Sequence, residues 1–228
     1  VMMRIKVFSC VAVCATMGLY AQQSENVELD EVVVSAVRVN DSVPMAYSNF
    51  TRAQIEKLNL GQDIPMLLNY TPSMVATSYD GMGIGYTDFR IRGIDNSRIN
   101  VTIHGIPYND ADSQTSFFVN LQDFASSVGS IQIQRGVGAS TFGAAAFGAS
   151  VSIATQNPAE EAYAQYATSV GSFSTFKNTL QVATGDLNGF AIEARLSSIT
   201  SDGYIDRATA DLKSYYLNAM IDLKEDRS

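Results

Sequence analysis

One histidine, His104, stands in the whole chain, beside Gly105. A Ser-His-Asp relay or an imidazole-rich metal or haem site would rest on that single ring, whereas such sites need several groups converging. Tyr108-Asn109-Asp110-Ala111-Asp112 has the look of a calcium loop but lacks the glycine at the sixth position and the glutamate at the twelfth, so an EF-hand is excluded. Gly81-Met82-Gly83-Ile84-Gly85 is glycine-rich without a strand-to-helix frame, and the chain has neither Gly-Lys-Ser/Thr nor a Gly-x-Ser-x-Gly elbow. The sequence therefore predicts no catalytic residue, metal or cofactor, and no enzyme. Its residue types are suited to binding. Leu29-Asp30-Glu31-Val32-Val33-Val34-Ser35-Ala36 sets three valines of strong β propensity behind a polar lead, QQSENVE. Such a segment is either the first strand of a domain or an arm that adds itself to another protein's sheet edge, main-chain hydrogen bonds giving affinity and alternate side chains register.

The elements that would position these groups follow from the flanking sequence. Arg4 and Lys6 precede an apolar run from Val7 to Leu19, and Leu19-Tyr20-Ala21 resembles a signal-peptidase site. Residues 1–21 are thus expected to be an export signal, too short to span a bilayer. Both cysteines, Cys10 and Cys14, lie inside it. The mature chain must then be held by a core or a closed barrel without disulfides. Removing Arg4 and Lys6 takes the net charge from −8 to −10, a balance unsuited to nucleic acid.

Thr51 and Gln54 have capping-box spacing for a short helix through Leu58, and Asp63 can cap a second one carrying Pro65 in its first turn and ending near Asn69. Short strands are predicted over Met74–Ser78, Phe89–Arg92, Asn100–Ile103, Val128–Gln134 and Ser150–Thr155. Ten of the sixteen glycines fall between Gly81 and Gly148, which points to tight turns and close backbone approaches. Beyond them the pattern changes to strict alternation. Phe176, Leu180 and Val182 oppose Lys177, Thr179 and Gln181; Phe190, Ile192, Ala194 and Leu196 oppose Glu193, Arg195 and Ser197; Tyr215, Leu217, Ala219, Ile221 and Leu223 oppose Tyr216, Asn218, Asp222 and Lys224, with Met220 an apolar exception. Tyr163 to Val170 makes a weaker strand. Period-two alternation suits a soluble β-sandwich and a membrane barrel equally.

The order of an export signal, LDEVVVSA, FRIRG, IHGIPY, IQIQRGVGASTFG and GASVSI leading into barrel-like strands resembles a TonB-dependent outer-membrane receptor. The resemblance covers essentially the whole chain and implies a division into a signal peptide (1–21), a flexible arm with the TonB box (22–42), an α+β plug domain with a short mixed sheet and small helices (43–155), and the first antiparallel strands, about four, of an incomplete transmembrane β-barrel (156–228). It places the TonB box at residues 29–36, where it would pair as an added strand with the periplasmic energy-coupling protein TonB. It also implies that Arg92 and Arg135 lock the plug to carboxylates of the barrel wall, Glu193 being a lumen-facing carboxylate of this chain. Plug loops carrying Tyr79, Tyr86, Tyr108, Gln114 and Phe117 would face the extracellular cavity and contact ligand. The implied function is active uptake of a scarce nutrient across the outer membrane. A ferric siderophore or haem is favoured over cobalamin or oligosaccharide because only a short arm precedes the TonB box. The implied partners are TonB, outer-membrane lipid and a small ferric ligand.

Four strands cannot close around a plug of this size, which takes about 22, and Ser228 is not a terminal aromatic. The expectation is a truncated piece of a longer receptor. The alternative is a free-standing periplasmic binding or interaction module.

Overall fold

A computed structural model describes residues 38, 45–137 and 147–221. The expected signal peptide and the TonB box, Leu29 to Ala36, lie outside the described residues. Twelve strands and two short helices make three sheets among them. The first sheet contains β1 (Tyr47–Phe50), β5 (Ile99–Ile103), β6 (Ile106–Pro107), β7 (Val128–Arg135) and β8 (Ala149–Thr155), in the order β1-β7-β8-β5-β6. Only β5 and β8 run parallel. A small antiparallel sheet is made by β2 (Met74–Ser78), β3 (Thr87–Ile91) and β4 (Ile94–Asp95). The helices α1 (Arg52–Leu58) and α2 (Ile64–Leu68) precede it.

These elements sit where local chemistry puts them. Gln54 Oε1 accepts the Thr51 backbone N–H at 2.9 Å, closing the expected capping box. Asp63 stands at the N-cap of α2, but its side chain leaves the helix and accepts the Thr87 hydroxyl at 3.0 Å. The turn between β5 and β6 is His104-Gly105, both residues with positive φ (51° and 78°), the backbone a two-residue hairpin requires. His104 Nε2 lies 2.7 Å from Thr155 Oγ1, which ties the turn to the end of β8. The predicted strands appear with ends shifted by one or two residues, while β1, β4 and β6 were not anticipated; each is four residues or fewer, below what periodicity can detect.

The core of this half joins Ile55 and Leu67 to Phe89, Ile91, Val101 and Ile133. Strand β7 is buried on both faces. Ile131 and Ile133 enter the apolar core, and Gln132 and Gln134 are 3% and 1% exposed on the other side, where Gln132 Nε2 donates to Asn49 and Gln134 Nε2 to Gln132 Oε1, each at 2.9 Å. These bonds satisfy the Gln132 amide and the Gln134 nitrogen, while Gln134 Oε1 is buried with no partner among the described residues.

The third sheet is an antiparallel meander of β9 (Ala162–Gly171), β10 (Thr175–Thr184), β11 (Phe190–Ser201) and β12 (Ala210–Ile221), paired in chain order. Up to Ile221 its faces follow the alternation read from sequence, Asp222, Leu223 and Lys224 lying outside the described residues. Lys177, Thr179, Gln181, Glu193, Arg195 and Ser197 are all buried, whereas Leu196, Tyr215, Leu217 and Ile221 are 58%, 85%, 68% and 65% exposed. A soluble sandwich covers its apolar face and wets the polar one. Here the polar face is packed on the first half of the chain and the apolar face is outside. That inversion decides between the two architectures: an α+β plug followed by the antiparallel strands that begin a barrel.

Candidate functional site

The polar face of the four-stranded sheet meets the plug at one carboxylate. Asp123 sits in the left-handed region (φ 51°) just ahead of a 3-10 turn over Phe124–Ser127. This conformation is one that aspartate and asparagine tolerate better than most residues, and it aims the carboxyl group at the wall. Lys177 Nζ of β10 reaches Asp123 Oδ1 at 2.6 Å, and Arg195 Nη1 of β11 reaches Oδ2 at 2.7 Å. Ser126 Oγ donates to Oδ1 at 2.6 Å, and the Ser197 hydroxyl donates to Oδ2. Arg195 Nε also donates to Ser127 Oγ at 2.9 Å, and Gln181 Nε2 to the Ser126 carbonyl at 3.2 Å. The side chains of Asp123, Arg195 and Lys177 are 1%, 2% and 9% exposed. Burial alone would raise the Asp123 pKa. The two cations and the hydrogen bonds outweigh it and hold the group below the usual carboxylate range.

The arginines implied by resemblance lie elsewhere. Arg92 adopts φ 54° after β3, and one of its guanidinium nitrogens would lie 3.2 Å from a Cβ added at Gly136. Arg135 Nη1 donates to the Pro72 carbonyl at 3.4 Å. Glu193, 1% exposed, accepts from the Gln156 side chain, and neither arginine forms an ion pair with it among the described residues. Asp123 went unnoticed in the sequence because nothing local distinguishes it from a loop aspartate. The usable signal was on the other side: Lys177 and Arg195 fall on the inward face of adjacent strands, and two buried cations need an anion.

A second site lies in the plug loops. Tyr79, Tyr86 and Phe117 line one cavity of about 280 Å³, together with Asp88, Asn96 and Ser116. Tyr108 braces it, its hydroxyl donating to the Phe117 carbonyl at 2.7 Å and its ring tilted against Phe118 at 6.4 Å. Gln114 is held behind it, its carbonyl accepting from Asn109 Nδ2 at 2.8 Å. Asn96 Oδ1 and Ser116 Oγ are buried and have no partner among the described residues. The loop between the tyrosines is fixed by Asp80, whose carboxylate accepts the backbone N–H groups of Met82 and Gly83 at 2.8 and 3.0 Å. The hairpin between β11 and β12 reaches this loop, the Tyr204 N–H donating to the Asp80 carbonyl at 3.1 Å. Gly81 (φ 76°) permits that approach, since a Cβ there would come within 2.9 Å of the Tyr204 ring.

Beneath the cavity, Asp63 is 3% exposed. Burial, reinforced by the nearby Asp80 and opposed by the Thr87 hydrogen bond, pushes its pKa up to about 7. The folded value lies above the unfolded one of 3.8, so the stability contributed by its proton is fully present below about pH 4 and is lost as pH rises through about 7. Asp123 has the opposite sign, and its contribution is lost only in acid below the ordinary carboxylate range. Thermal unfolding is therefore expected at higher temperature at pH 5 than at pH 8, and Asp63→Asn should abolish most of the difference. Equal pH dependence in the variant would show that Asp63 is not its source.

A family model for the TonB-dependent receptor plug domain matches residues 39–150. The chain matches no curated protein. Among solved structures it resembles the ferripyoverdine receptor of the outer membrane of Pseudomonas aeruginosa (18% identity, TM-score 0.68, 85% of this chain and 26% of that one). It is also similar to the alcaligin outer-membrane receptor FauA from Bordetella pertussis (20%, 0.60, 79% and 30%) and to the ferric yersiniabactin uptake receptor FyuA from Yersinia pestis (14%, 0.56, 77% and 28%). The chain thus spans about a quarter of the length of these receptors.

Proposed function

We propose, for a chain whose residues 39–150 belong to the TonB-dependent receptor plug family, that it is the N-terminal part of an outer-membrane receptor that takes up an iron complex with energy supplied through TonB. The observation that carries this reading is the inverted sheet: β9–β12 expose leucines and tyrosines outward and bury Lys177, Gln181, Arg195 and Ser197 against the plug. An apolar outer band and a polar inner face are what a barrel strand in lipid requires.

The seat between plug and wall also suits a part that has to move. It is rich in hydrogen bonds and ion pairs, beside one ring contact of Phe124 with Tyr216, and such polar contacts exchange with water at small net cost. A plug held this way is located firmly yet can be displaced by a pull applied to residues 29–36, the proposed TonB box. The cavity bordered by Tyr79, Tyr86 and Phe117 is the proposed contact of the plug with ligand. Its aromatic walls suit an organic chelate. Arg92, Arg135 and Glu193 are retained as proposed points where plug and barrel wall lock.

The test is iron uptake by cells expressing the complete reading frame. Accumulation of radioactive iron supplied as a ferric trihydroxamate is expected to depend on both the gene and TonB. Equal accumulation in cells lacking TonB would exclude an energised receptor.

A further inference from the structure

The plug cavity has a charge character that the reading as an iron-complex receptor leaves open. Four of its residues bear on it: the rings of Tyr79, Tyr86 and Phe117 and the carboxylate of Asp88. Among the described residues that line it, none is Lys, Arg or His. Asp80 adds a second carboxylate in the turn between the two tyrosines, with its Oδ2 buried and unpartnered among the described residues. The closest basic residue along β3 is Arg90, on the same face of the strand as Asp88, and it stands opposite Asp95 in the β3–β4 register. Its charge acts on Asp95, which hydrogen bonding from Ser97, then Arg98 and Arg90, holds below the usual carboxylate range. The rings are accessible, Tyr79 being 70% and Tyr86 64% exposed.

Three aromatic rings and one carboxylate, with no basic side chain among the described residues that line it, give the cavity a net negative character. Ring quadrupoles attract cations, and an anion here would meet the Asp88 carboxylate with hydroxyl donors but no cation to offset the repulsion. We infer that the plug cavity selects iron complexes that present a positively charged group, such as a protonated amine, and discriminates against those that present a carboxylate or another anion. This rests on the uptake reading above. In it, the amine would lie against Tyr79 and Tyr86 with its N–H groups on Asp88.

The test uses one linear ferric trihydroxamate in three forms: with its terminal amine free, acetylated or succinylated. These carry a positive, a neutral and a negative end on the same iron centre. Binding of each radio-iron complex is measured on membranes from cells expressing the complete reading frame, against membranes without it. The amine form is expected to bind about tenfold more tightly than the acetylated one, and the succinylated form more weakly still. Asp88→Asn should bring the amine and acetylated forms to within about twofold of each other, since the carboxylate supplies the preference. Tyr86→Ala should weaken the amine form most. Equal binding of all three forms, or tighter binding of the succinylated form, overturns the charge selection and leaves the uptake reading standing. Absence of specific binding by all three overturns both.

Discussion

Asp123→Asn is expected to destabilise the seat of the plug against β9–β12 by about 3–5 kcal/mol, the range for removing one partner of a buried ion pair. Asparagine fits the left-handed backbone at this position (φ 51°), so the change leaves the main chain alone while removing the charge and replacing one of the two acceptor oxygens with a donor. It leaves Lys177 and Arg195, both buried, without their shared anion. Hydrogen exchange should accelerate in β10, β11 and residues 118–128 together, because the contact joins those segments. Removing the two cations as well, Asp123→Asn with Lys177→Met and Arg195→Met, should recover most of the loss, since it leaves no uncompensated buried charge and keeps a residue that suits the left-handed backbone. Exchange that accelerates only around residue 123 would mean that the two halves are held by other contacts.

Val33→Pro carries the second large effect. Proline removes one main-chain donor and fixes φ, which breaks an added-strand ladder at that point. Uptake of the ferric complex is expected to fall to the level of cells lacking TonB, with unchanged amounts of receptor in the outer membrane and unchanged ligand binding at the cell surface. Retained uptake would remove residues 29–36 from energy coupling.

Much of the architecture was legible because each half obeys one simple rule. Strict alternation placed Lys177, Glu193 and Arg195 on the inner face and Leu196 and Leu217 on the outer face before any coordinates. Cap spacing placed α1 and α2. The same alternation could not tell a sandwich from a barrel, since that depends on which face is covered, and coverage is a tertiary fact. The candidate site was legible only in part. Aromatic loop residues Tyr79, Tyr86 and Phe117 converge on one cavity, but the residues that give it character, Asp88, Asn96 and Ser116, look like ordinary strand and turn residues. Asp123 escaped for a related reason: its partners are 54 and 72 positions away in the chain, and nothing in its neighbours marks it.

Leu196 and Ser197 are adjacent on β11, yet one is 58% exposed and the other buried against Asp123. Both cysteines of the sequence lie in the expected signal peptide, so single cysteines can be introduced at will. A nitroxide on Leu196→Cys or Leu217→Cys, in outer membranes, should be relaxed strongly by oxygen, which partitions into lipid, and weakly by a water-soluble nickel chelate. Stronger relaxation by the nickel chelate at both positions would put the apolar face of β9–β12 in water and contradict a membrane-embedded receptor wall.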